Sequence, residues 1–373
     1  MESYIATTQE ELEKVYAFRY DVFVAEQGKR ISHADHLKKL LVDPIDAVAD
    51  QICVADNTGA MIGSLRAVRG LQNATQSMWR NYSLEEFATY PPEKFSFTGR
   101  LFVLPERRGS AALMHLLRKV YQCGRVSGVT IDFIFCTPSL VALYQQLGYR
   151  RYRSAFEDPD LGFQIPMVLI ANDEEHLKRV RSPFVQWMSE FENSDVEGNW
   201  LRRAYTQYAN DVSALISDQA LFFSYLGRVL SEKPKGVLQD LSVDEIGLLY
   251  KEGSIFSCSA GDRILRKGDP GAEMFVLLKG AAEVVIANDG QSRVLGTVGE
   301  GDALGEMALV TNAPRIADVV AVCECDLIAL TERAIDRLVK SEPVLMCKFF
   351  RNMSRGLAER LTLSTQRKPD AGV

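Results

Sequence analysis

The first 170 residues of the chain change repeatedly between two periods of hydrophobicity. Runs with a two-residue period predict strands, and runs with a three- to four-residue period predict helices. The predicted strands are 51–55, 61–68, 95–103, 129–135, 150–156 and 164–170. The predicted helices are 8–23, 110–126 and 139–147, and the first opens on a Thr8–Glu11 capping box. This alternation is typical of a mixed α/β domain.

The pattern changes twice further along the chain. Helical periods at 174–190, 200–216 and 219–230 predict a helical connector. Beyond residue 238, short β-type segments separated by glycine-containing turns at intervals of about ten residues predict a small barrel or roll. Thr331 and Pro343 mark the starts of the last two helices. The predicted fold class is therefore α+β multidomain, with a mixed α/β domain (1–171), a helical connector (172–237) and a β-roll with flanking helices (238–373).

Composition narrows the class of protein. A length of 373 residues, 47% hydrophobic and 25% charged, describes two globular domains and a connector. The net charge of −6 argues against non-specific nucleic-acid binding. No apolar run approaches the ~20 residues that span a membrane, and no signal peptide is recognised, so a cytoplasmic protein is expected. Seven cysteines without C-x-x-C spacing and only four histidines predict reduced thiols and no metal site.

Residues 305–317 place an acid and a base nine positions apart, around a short helical turn and Pro314. A glycine before a helix leaves backbone N–H groups free to hold an anion. Glu306 can accept hydrogen bonds from sugar hydroxyls, and Arg315 can fork onto a phosphate. The segment therefore predicts a site for a small sugar phosphate.

Together with the glycine-punctuated β segments and trailing helices, this G-E-x-A-L…P-R-x-A cassette resembles the cyclic nucleotide-binding domain over about residues 238–361. The resemblance implies that Glu306 holds the ribose 2′-hydroxyl and Arg315 the cyclic phosphate. Ile316 cannot form the guanine hydrogen bond that a threonine makes in relatives preferring cGMP, so cAMP is the expected ligand, with other bacterial cyclic nucleotides as the alternative. The alternative is a roll that has lost its ligand. The remaining contacts that the resemblance implies are those of Gly305, Met307, Ala308 and Ala317.

Residues 104–113 join a predicted strand to a helix, where backbone amides can cradle a pyrophosphate. Downstream, the segment 144–149 (YQQLGY) ends a helix at a glycine. In this order and spacing the two segments resemble motifs of the GNAT acyltransferase superfamily, in which the tyrosine matching Tyr144 protonates the leaving thiolate. Ala111 and Leu113 stand where that family has glycines. The loop residues implied to bind the coenzyme A diphosphate are Arg108, Gly109, Ser110 and Ala111.

Four further segments, 19–23, 43–46, 63–66 and 99–103, resemble the autoinducer-synthase and N-acyl amino acid synthase branch of that superfamily. The resemblance implies transfer of an acyl group from acyl-CoA or acyl-carrier protein to an amino acid-derived amine. Phe97 replaces the branch's glutamate, which disfavours homoserine lactone synthesis. The residues implied to shape the amine pocket are Arg19, Phe23, Asp43, Asp46, Arg66 and Arg100.

Aminolysis of a thioester needs a neutral amine, donors for the developing oxyanion and a proton for sulfur. Strand amides at Phe102, Val103 and Leu104 are expected near the oxyanion. Tyr144 is the candidate acid, and Asp46, or else water, is the candidate base. Structural alternatives are a packed Tyr144 and an Arg19–Asp46 ion pair without a catalytic role.

The sequence thus predicts a cAMP-regulated N-acyltransferase of the GNAT type. A cAMP-regulated protein lysine acetyltransferase and a non-catalytic cAMP sensor are the alternatives. The expected partners are a cyclic nucleotide, acyl-CoA or acyl-carrier protein, and a small amine or amino acid. No metal, nucleic acid or membrane span is expected, and the final amphipathic helix suits a homodimer.

Overall fold

A computed structural model describes residues 1–29, 31–88, 90–108, 110–153, 155–191, 234–271, 273–288, 291–311 and 313–366. The chain divides into two compact units, which among the described residues consist mainly of 1–191 and of 234–366. The connector helices predicted at 200–216 and 219–230 lie outside the described residues.

The N-terminal unit is a mixed α/β fold, as the sequence predicts. Its strands are β1 (Glu2–Ala6), β2 (Ala49–Ala55), β3 (Met61–Arg69), β4 (Phe95–Val103), β5 (Ile131–Cys136), β6 (Arg150–Arg151), β7 (Phe156–Asp158) and β8 (Gly162–Ile170). Its helices are α1 (Gln9–Arg19), α2 (Gln76–Tyr82), α3 (Ala112–Val126), α4 (Val141–Leu147), α5 (Glu174–Arg179) and α6 (Val185–Met188).

The eight strands form one sheet in the order β1-β2-β3-β4-β5-β8-β6, with β7 paired to β8. Strands β4 and β5 run parallel and α3 supplies the crossover between them, whereas the other described pairs are antiparallel. Aromatic side chains of β4, β5 and α2 fill the core on one face of the sheet, among them Phe95, Phe133 and Tyr82. The sheet therefore holds β4 and β5 between packed layers.

Local signals account for most of these boundaries. The capping box predicted at Thr8 and Glu11 is formed, and α1 passes at its C-terminus into a π-helical segment, Tyr20–Glu26. The single helix predicted at 174–190 is wrong, since α5 and α6 replace it. Arg181 adopts a left-handed φ of 54° and Pro183 follows two residues later, which breaks the helix.

Among its described residues, the C-terminal unit contains two four-stranded sheets and four α-helices. Its strands are β9 (Ser254–Cys258), β10 (Arg263–Leu265), β11 (Glu273–Lys279), β12 (Ala282–Asn288), β13 (Gln291–Val298), β14 (Ala303–Leu304), β15 (Asp318–Ala321) and β16 (Cys325–Thr331). Its helices are α7 (Val243–Glu252), α8 (Glu306–Thr311), α9 (Glu332–Ser341) and α10 (Pro343–Gln366).

The strand orders are β10-β15-β12-β13 and β14-β11-β16-β9. Apolar residues of α7, α9 and α10 pack on the second sheet, with Phe349, Ile246 and Leu330 buried in this core. The predicted helix starts at Thr331 and Pro343 are confirmed. Helix α8, which carries the predicted acid, therefore lies on a β-roll supported by helices.

Candidate active site and nucleotide-binding site

The first candidate site is an open edge between β4 and β5. Their ladder covers three residue pairs, from Phe95↔Ile131 to Phe97↔Phe133. Beyond these pairs, β4 continues to Val103 and β5 to Cys136 without further partners in the ladder. Separated strands expose backbone donors and acceptors, which an extended ligand can use.

A β-bulge in β4 lies beside this edge. Gly99 pairs with Arg66 and Phe102 with Ser64, so β4 has one residue more than β3 across this interval. The extra residue is accommodated at Arg100, which has a φ of 50°. The extra residue shifts the alternation of backbone and side-chain directions along β4 by one position after Gly99.

Of the backbone amides after the bulge, some point toward β3 and others point away from it. The Leu104 amide donates to the Ile62 carbonyl at 3.0 Å, so this predicted oxyanion donor is already in use. Since hydrogen-bonding direction alternates along an antiparallel strand, Phe102 faces β3 with Leu104, and the Val103 amide points away from β3. The expectation is therefore corrected for Leu104 and Phe102, and Val103 is the better-placed donor.

Five predicted residues converge in a charge cluster, comprising Arg19, Asp43, Asp46, Arg66 and Arg100. Arg19 Nη1 lies 3.0 and 2.9 Å from the two carboxylate oxygens of Asp46. Asp43 Oδ2 accepts from Arg66 Nη1 at 2.6 Å and from Arg100 Nε at 2.7 Å. The structure thus brings together charged residues that are up to 81 positions apart in sequence, from Arg19 to Arg100.

Asp46 is poorly suited to the general-base role expected of it. Besides Arg19, its carboxylate accepts from Gln51 Nε2 at 3.0 Å and from the Asp43 amide at 2.8 Å, and Arg66 Nη1 is 3.4 Å away. The Asp46 side chain is 1% exposed. A buried carboxylate whose oxygens already accept this many hydrogen bonds has no lone pair directed at a substrate. The geometry supports the structural alternative for the Arg19–Asp46 pair.

The electrostatics of the charge cluster favour a negatively charged ligand. Burial alone would raise the pKa of Asp43, but hydrogen bonding to Arg100 and the charges of Arg100, Arg66 and Arg19 outweigh it and hold that pKa well below its ordinary value. Burial lowers the pKa of Arg19, and Asp46 opposes this effect. The five cluster residues comprise three guanidiniums and two carboxylates, so their formal charges sum to one positive charge, while Asp158 acts on Arg100 from outside the cluster.

Three buried polar atoms in or beside the charge cluster have no hydrogen-bond partner among the described residues: Arg19 Nε, Arg66 Nε and Ser64 Oγ. Because buried polar atoms are normally paired, and the Arg19 side chain is fully buried, Arg66 Nε and Ser64 Oγ are the candidates for contact with a ligand. Sequence reasoning did not single out Ser64, or His33, whose Nε2 lies 2.9 Å from Asp43 Oδ1.

The apolar residues predicted for this site pack against its basic rim. The Arg100 guanidinium lies over the Phe23 ring, 5.4 Å from the centroid. Phe23 and Phe102 have centroids 5.1 Å apart, and both rings are buried. This arrangement fixes Arg100 while leaving its side chain 11% exposed.

Tyr144 lies on α4, and both it and Tyr149 are buried. Its hydroxyl makes no hydrogen bond to any described residue, and its ring meets that of Tyr149 edge to face at 5.4 Å. Burial, with smaller contributions from Cys136 and Asp132, raises the pKa of Tyr144 well above its ordinary value. The phenol therefore carries its proton at neutral pH and can act as a donor.

Side chains of the loop before α3 already have hydrogen-bond partners within the protein, so fewer of them are available to a ligand than the family resemblance implies. Arg108 Nη2 lies 3.0 Å from both carboxylate oxygens of Glu26, and Arg108 Nε donates to the Val103 carbonyl at 3.2 Å. Ser110 Oγ accepts from the Ala112 amide at 3.2 Å, and Ala111 directly precedes α3. Gly109 lies outside the described residues.

In the C-terminal unit, the predicted phosphate ligand Arg315 is held by backbone carbonyls. Its Nη1 donates to Gly305 and its Nη2 to Glu273, each at 2.8 Å. A Cβ on Gly271 would lie 2.1 Å from the guanidinium carbon, and one on Gly305 would lie 2.4 Å from Nη1. Both positions must therefore be glycine for the guanidinium to occupy this place.

Glu306 lies at the start of α8 with its side chain 5% exposed. Arg360 of α10 is its ion-pair partner, with Nη2 3.2 Å from Oε1, and Arg360 Nη1 donates to the Ala303 carbonyl at 3.4 Å. Burial raises the pKa of Glu306, and the charge of Arg360 opposes that shift. Sequence reasoning missed Arg360, since nothing local marks one arginine of a long helix.

The other predicted nucleotide contacts divide by exposure. Ala308 and Ala317 are buried, whereas Met307 and Ile316 are exposed beside the cassette. The donors, the carboxylate and the small buried residues fit a sugar phosphate.

Within the described ranges, no helix is long and apolar enough to cross a membrane. The same residues contain no group of three or more His, Cys, Asp or Glu side chains placed to hold a metal ion.

Comparison with known families follows the same division of the chain. Residues 18–118 match the acetyltransferase (GNAT) domain, and residues 255–342 match the cyclic nucleotide-binding domain. The chain therefore carries an N-terminal GNAT acetyltransferase domain and a C-terminal cyclic nucleotide-binding domain. This confirms the predicted family resemblances and the predicted fold class.

Individual relatives match one domain or the other. An L-ornithine N(alpha)-acyltransferase of Rhizobium meliloti is 28% identical over 153 residues, covering 35% of this chain and 51% of the relative. A cAMP-dependent protein kinase regulatory subunit of Mycosarcoma maydis is 37% identical over 86 residues, covering 22% of this chain and 16% of the relative. A crystallised cyclic nucleotide-binding domain from Methylobacillus flagellatus is 25% identical, covers 41% of this chain and 85% of that domain, and gives a TM-score of 0.35. The chain thus spans about half or less of these two curated relatives.

Proposed function

We propose that this protein transfers an acyl group from a thioester to the amine of an amino acid-like acceptor, under the control of a cyclic nucleotide. The observation that carries the proposal is the charge cluster beside the open edge of β4. The charge cluster offers a fixed basic surface for an acceptor carboxylate, and the adjacent open edge of β4 can bind an acyl carrier. The similarity to an enzyme named for N-acylation of ornithine supports the same chemistry.

The acceptor is held through its carboxylate. Arg66 and Arg100 keep part of their guanidinium surface accessible, at 16% and 11% side-chain exposure, and the charge cluster has one positive charge in excess. A guanidinium binds a carboxylate through two parallel hydrogen bonds, which orients it as well as attracting it. The acyl donor is acyl-CoA or acyl-carrier protein.

The reaction follows from these positions. The neutral amine attacks the thioester carbonyl carbon, a C–N bond forms, and the Val103 amide stabilises the oxyanion. When the C–S bond breaks, Tyr144 gives its proton to sulfur. The ammonium proton is released to solvent, from which the phenolate recovers one, so that amide and thiol are the only products.

The regulatory ligand is expected to be cAMP. Glu306 would accept from the ribose 2′-hydroxyl and Arg315 would bind the cyclic phosphate. Ile316 offers no polar group to guanine, and the similarity to subunits named as cAMP-dependent supports the same choice. Because both domains belong to one chain, ligand binding in one can bias activity in the other.

Product analysis tests the proposal. The full chain is incubated with acyl-CoAs of increasing length, a pool of amino acids and a lysine-containing protein, with and without cAMP, and products are identified by mass spectrometry. We expect N-acyl amino acids, and much less of them from Tyr144→Phe. Acylated protein without acyl amino acids would favour the lysine acetyltransferase instead, and no product under any condition would favour a sensor.

A further inference from the structure

A buried carboxylate outside the charge cluster ties β4 to β5. Asp132 of β5 is 6% exposed and has no ion-pair partner among the described residues. Its oxygens accept from three hydroxyls: Ser96 Oγ in a short hydrogen bond, Thr98 Oγ1 at 2.9 Å and Tyr149 Oη at 2.5 Å. An anion buried without a cation is costly, so this carboxylate calls for an explanation beyond packing.

The position of Asp132 in the sheet explains why a carboxylate is buried there. Ser96 is the register partner of Asp132, and the ladder ends one pair later at Phe97↔Phe133. Thr98 is the first residue of β4 beyond that ladder. Asp132 therefore fastens the two strands together at the point where the open edge begins.

Tyr149 connects this carboxylate to the candidate acid. Its amide donates to the Tyr144 carbonyl at 2.9 Å, and the two rings meet edge to face at an interplanar angle of 82°. The intervening Gly148 has a φ of 108°, which turns the chain back toward β5 after α4. A single residue thus contacts Asp132 through its hydroxyl and Tyr144 through its backbone and ring.

The protonation states suit this arrangement. Burial raises the pKa of Asp132, and the hydrogen bonds from Ser96, Tyr149 and Thr98 oppose that rise. Burial and the charge of Asp132 raise the pKa of Tyr149 well above its ordinary value. Tyr149 therefore keeps its proton and donates it to Asp132 Oδ2.

We propose that Asp132 is a positioning residue for acyl transfer: through Tyr149 it holds the Tyr144 phenol where the departing thiolate forms. This inference rests on the proposed function. The proton still passes from Tyr144 to sulfur as the C–S bond breaks, and Asp132 takes part in no bond change. Its contribution is to orientation alone.

Leaving-group dependence distinguishes this role from general stabilisation of the fold. Tyr149→Phe removes one hydroxyl and keeps the ring, and Asp132→Asn removes the charge at nearly constant size. Each is assayed in the full chain with an acyl-CoA and with the same acyl group on an acidic aryl thiol, which departs without protonation.

We expect kcat with acyl-CoA to fall by about 10- to 100-fold, at or below the lower end of what a general acid contributes, with little change in KM. The fall is expected to shrink to within about 3-fold for the aryl thioester, and each variant combined with Tyr144→Phe should be no slower than Tyr144→Phe alone. The matched control is Tyr121→Phe, which removes an equally buried hydroxyl bonded to the Ala171 carbonyl at 2.9 Å and should change neither rate.

Equal losses on both thioesters, additive losses with Tyr144→Phe, or no loss at all would overturn the inference. Tyr149→Phe decides the question if Asp132→Asn does not fold. An inactive parent chain would instead refute the proposed function, and Tyr144→Phe without leaving-group dependence would refute the acid assignment itself.

Discussion

Removing Arg360 should weaken the binding of a cyclic nucleotide that has a ribose 2′-hydroxyl. Arg360 is the one basic side chain within 4 Å of the Glu306 carboxylate among the described residues, and it contacts only Oε1. Glu306 is buried, so without Arg360 a smaller fraction of its carboxylate would be ionised, and the orientation of the carboxylate would be less fixed. A protonated Glu306 is a poorer acceptor for a sugar hydroxyl.

The magnitude follows from the exposure of the pair. Exposed ion pairs contribute about 0.2–1 kcal/mol, and removing one partner of a fully buried pair costs about 3–5 kcal/mol. Arg360 is 41% exposed and Glu306 is 5% exposed, so an intermediate loss of about 1–2 kcal/mol is expected. This corresponds to an increase of roughly 5- to 30-fold in Kd for cAMP.

Calorimetric titration of Arg360→Ala with cAMP and with 2′-deoxy-cAMP measures this effect. The deoxy ligand lacks the hydroxyl that Glu306 would accept from, so its affinity should change by less than about 2-fold, well below the 1.4 kcal/mol that a tenfold change represents. Arg355→Ala is the matched control, since Arg355 lies on the same helix and, among the residues that the structure describes, its side chain reaches only Gln239 Oε1, at 3.4 Å. Equal losses for the two nucleotides, or tighter cAMP binding, would refute the reasoning.

The same pair sets a pH dependence. Burial raises the pKa of Glu306, and the ionised form is the one that accepts from ribose. Affinity for cAMP should therefore be complete at high pH and fall as the pH drops through that raised pKa, and in Arg360→Ala the fall should begin at a higher pH.

Other substitutions test the remaining contacts. Gly271→Ala should lower cAMP affinity while leaving the unfolding midpoint nearly unchanged, because the new Cβ displaces the Arg315 guanidinium, and isothermal titration beside thermal denaturation checks this. Asp43→Asn should lower the free energy of unfolding of the N-terminal domain by about 3–5 kcal/mol in urea titrations, since it leaves buried guanidiniums uncompensated. The pKa of Asp43 is lowered by folding, so its stabilisation is complete above the ordinary aspartate pKa of about 3.9 and is lost as the pH falls below it. The urea midpoint of Asp43→Asn should accordingly change less than that of the parent between about pH 5 and pH 3, and parallel midpoint curves would contradict the assignment.

Local sequence signals predicted the parts of the fold that depend on neighbouring residues. The capping box at Thr8 and the limits of β4 follow from hydrogen bonds and periodicity within a few positions. The π-helical segment after α1 has no comparable signal. Its residues continue a helical period, and only the tertiary packing of Tyr20 and Phe23 shows the change.

Residues of the two candidate sites could likewise be predicted only where the signal is local in sequence. The nucleotide cassette is nearly contiguous, so Glu306 and Arg315 could be found from spacing, whereas Arg360 reaches Glu306 only through the fold. The hydrogen bonds that disfavour Asp46 as a general base come from distant elements, including Gln51 on β2, and no local pattern indicates them. Asp132 lay within an apolar run, and its pairing with Ser96 and Thr98 depends on a parallel register that no short segment specifies.

The central claim is that a cyclic nucleotide controls acyl transfer in this chain. The most direct measurement is the initial rate of N-acyl amino acid formation by the full chain, with and without saturating cAMP, in the parent and in Arg315→Ala. We predict that cAMP changes the parent rate by about 5-fold or more, as a coupling of 1–3 kcal/mol implies, and that Arg315→Ala stays at its nucleotide-free rate at the same cAMP concentration. A parent rate that is the same with and without saturating cAMP would contradict the account.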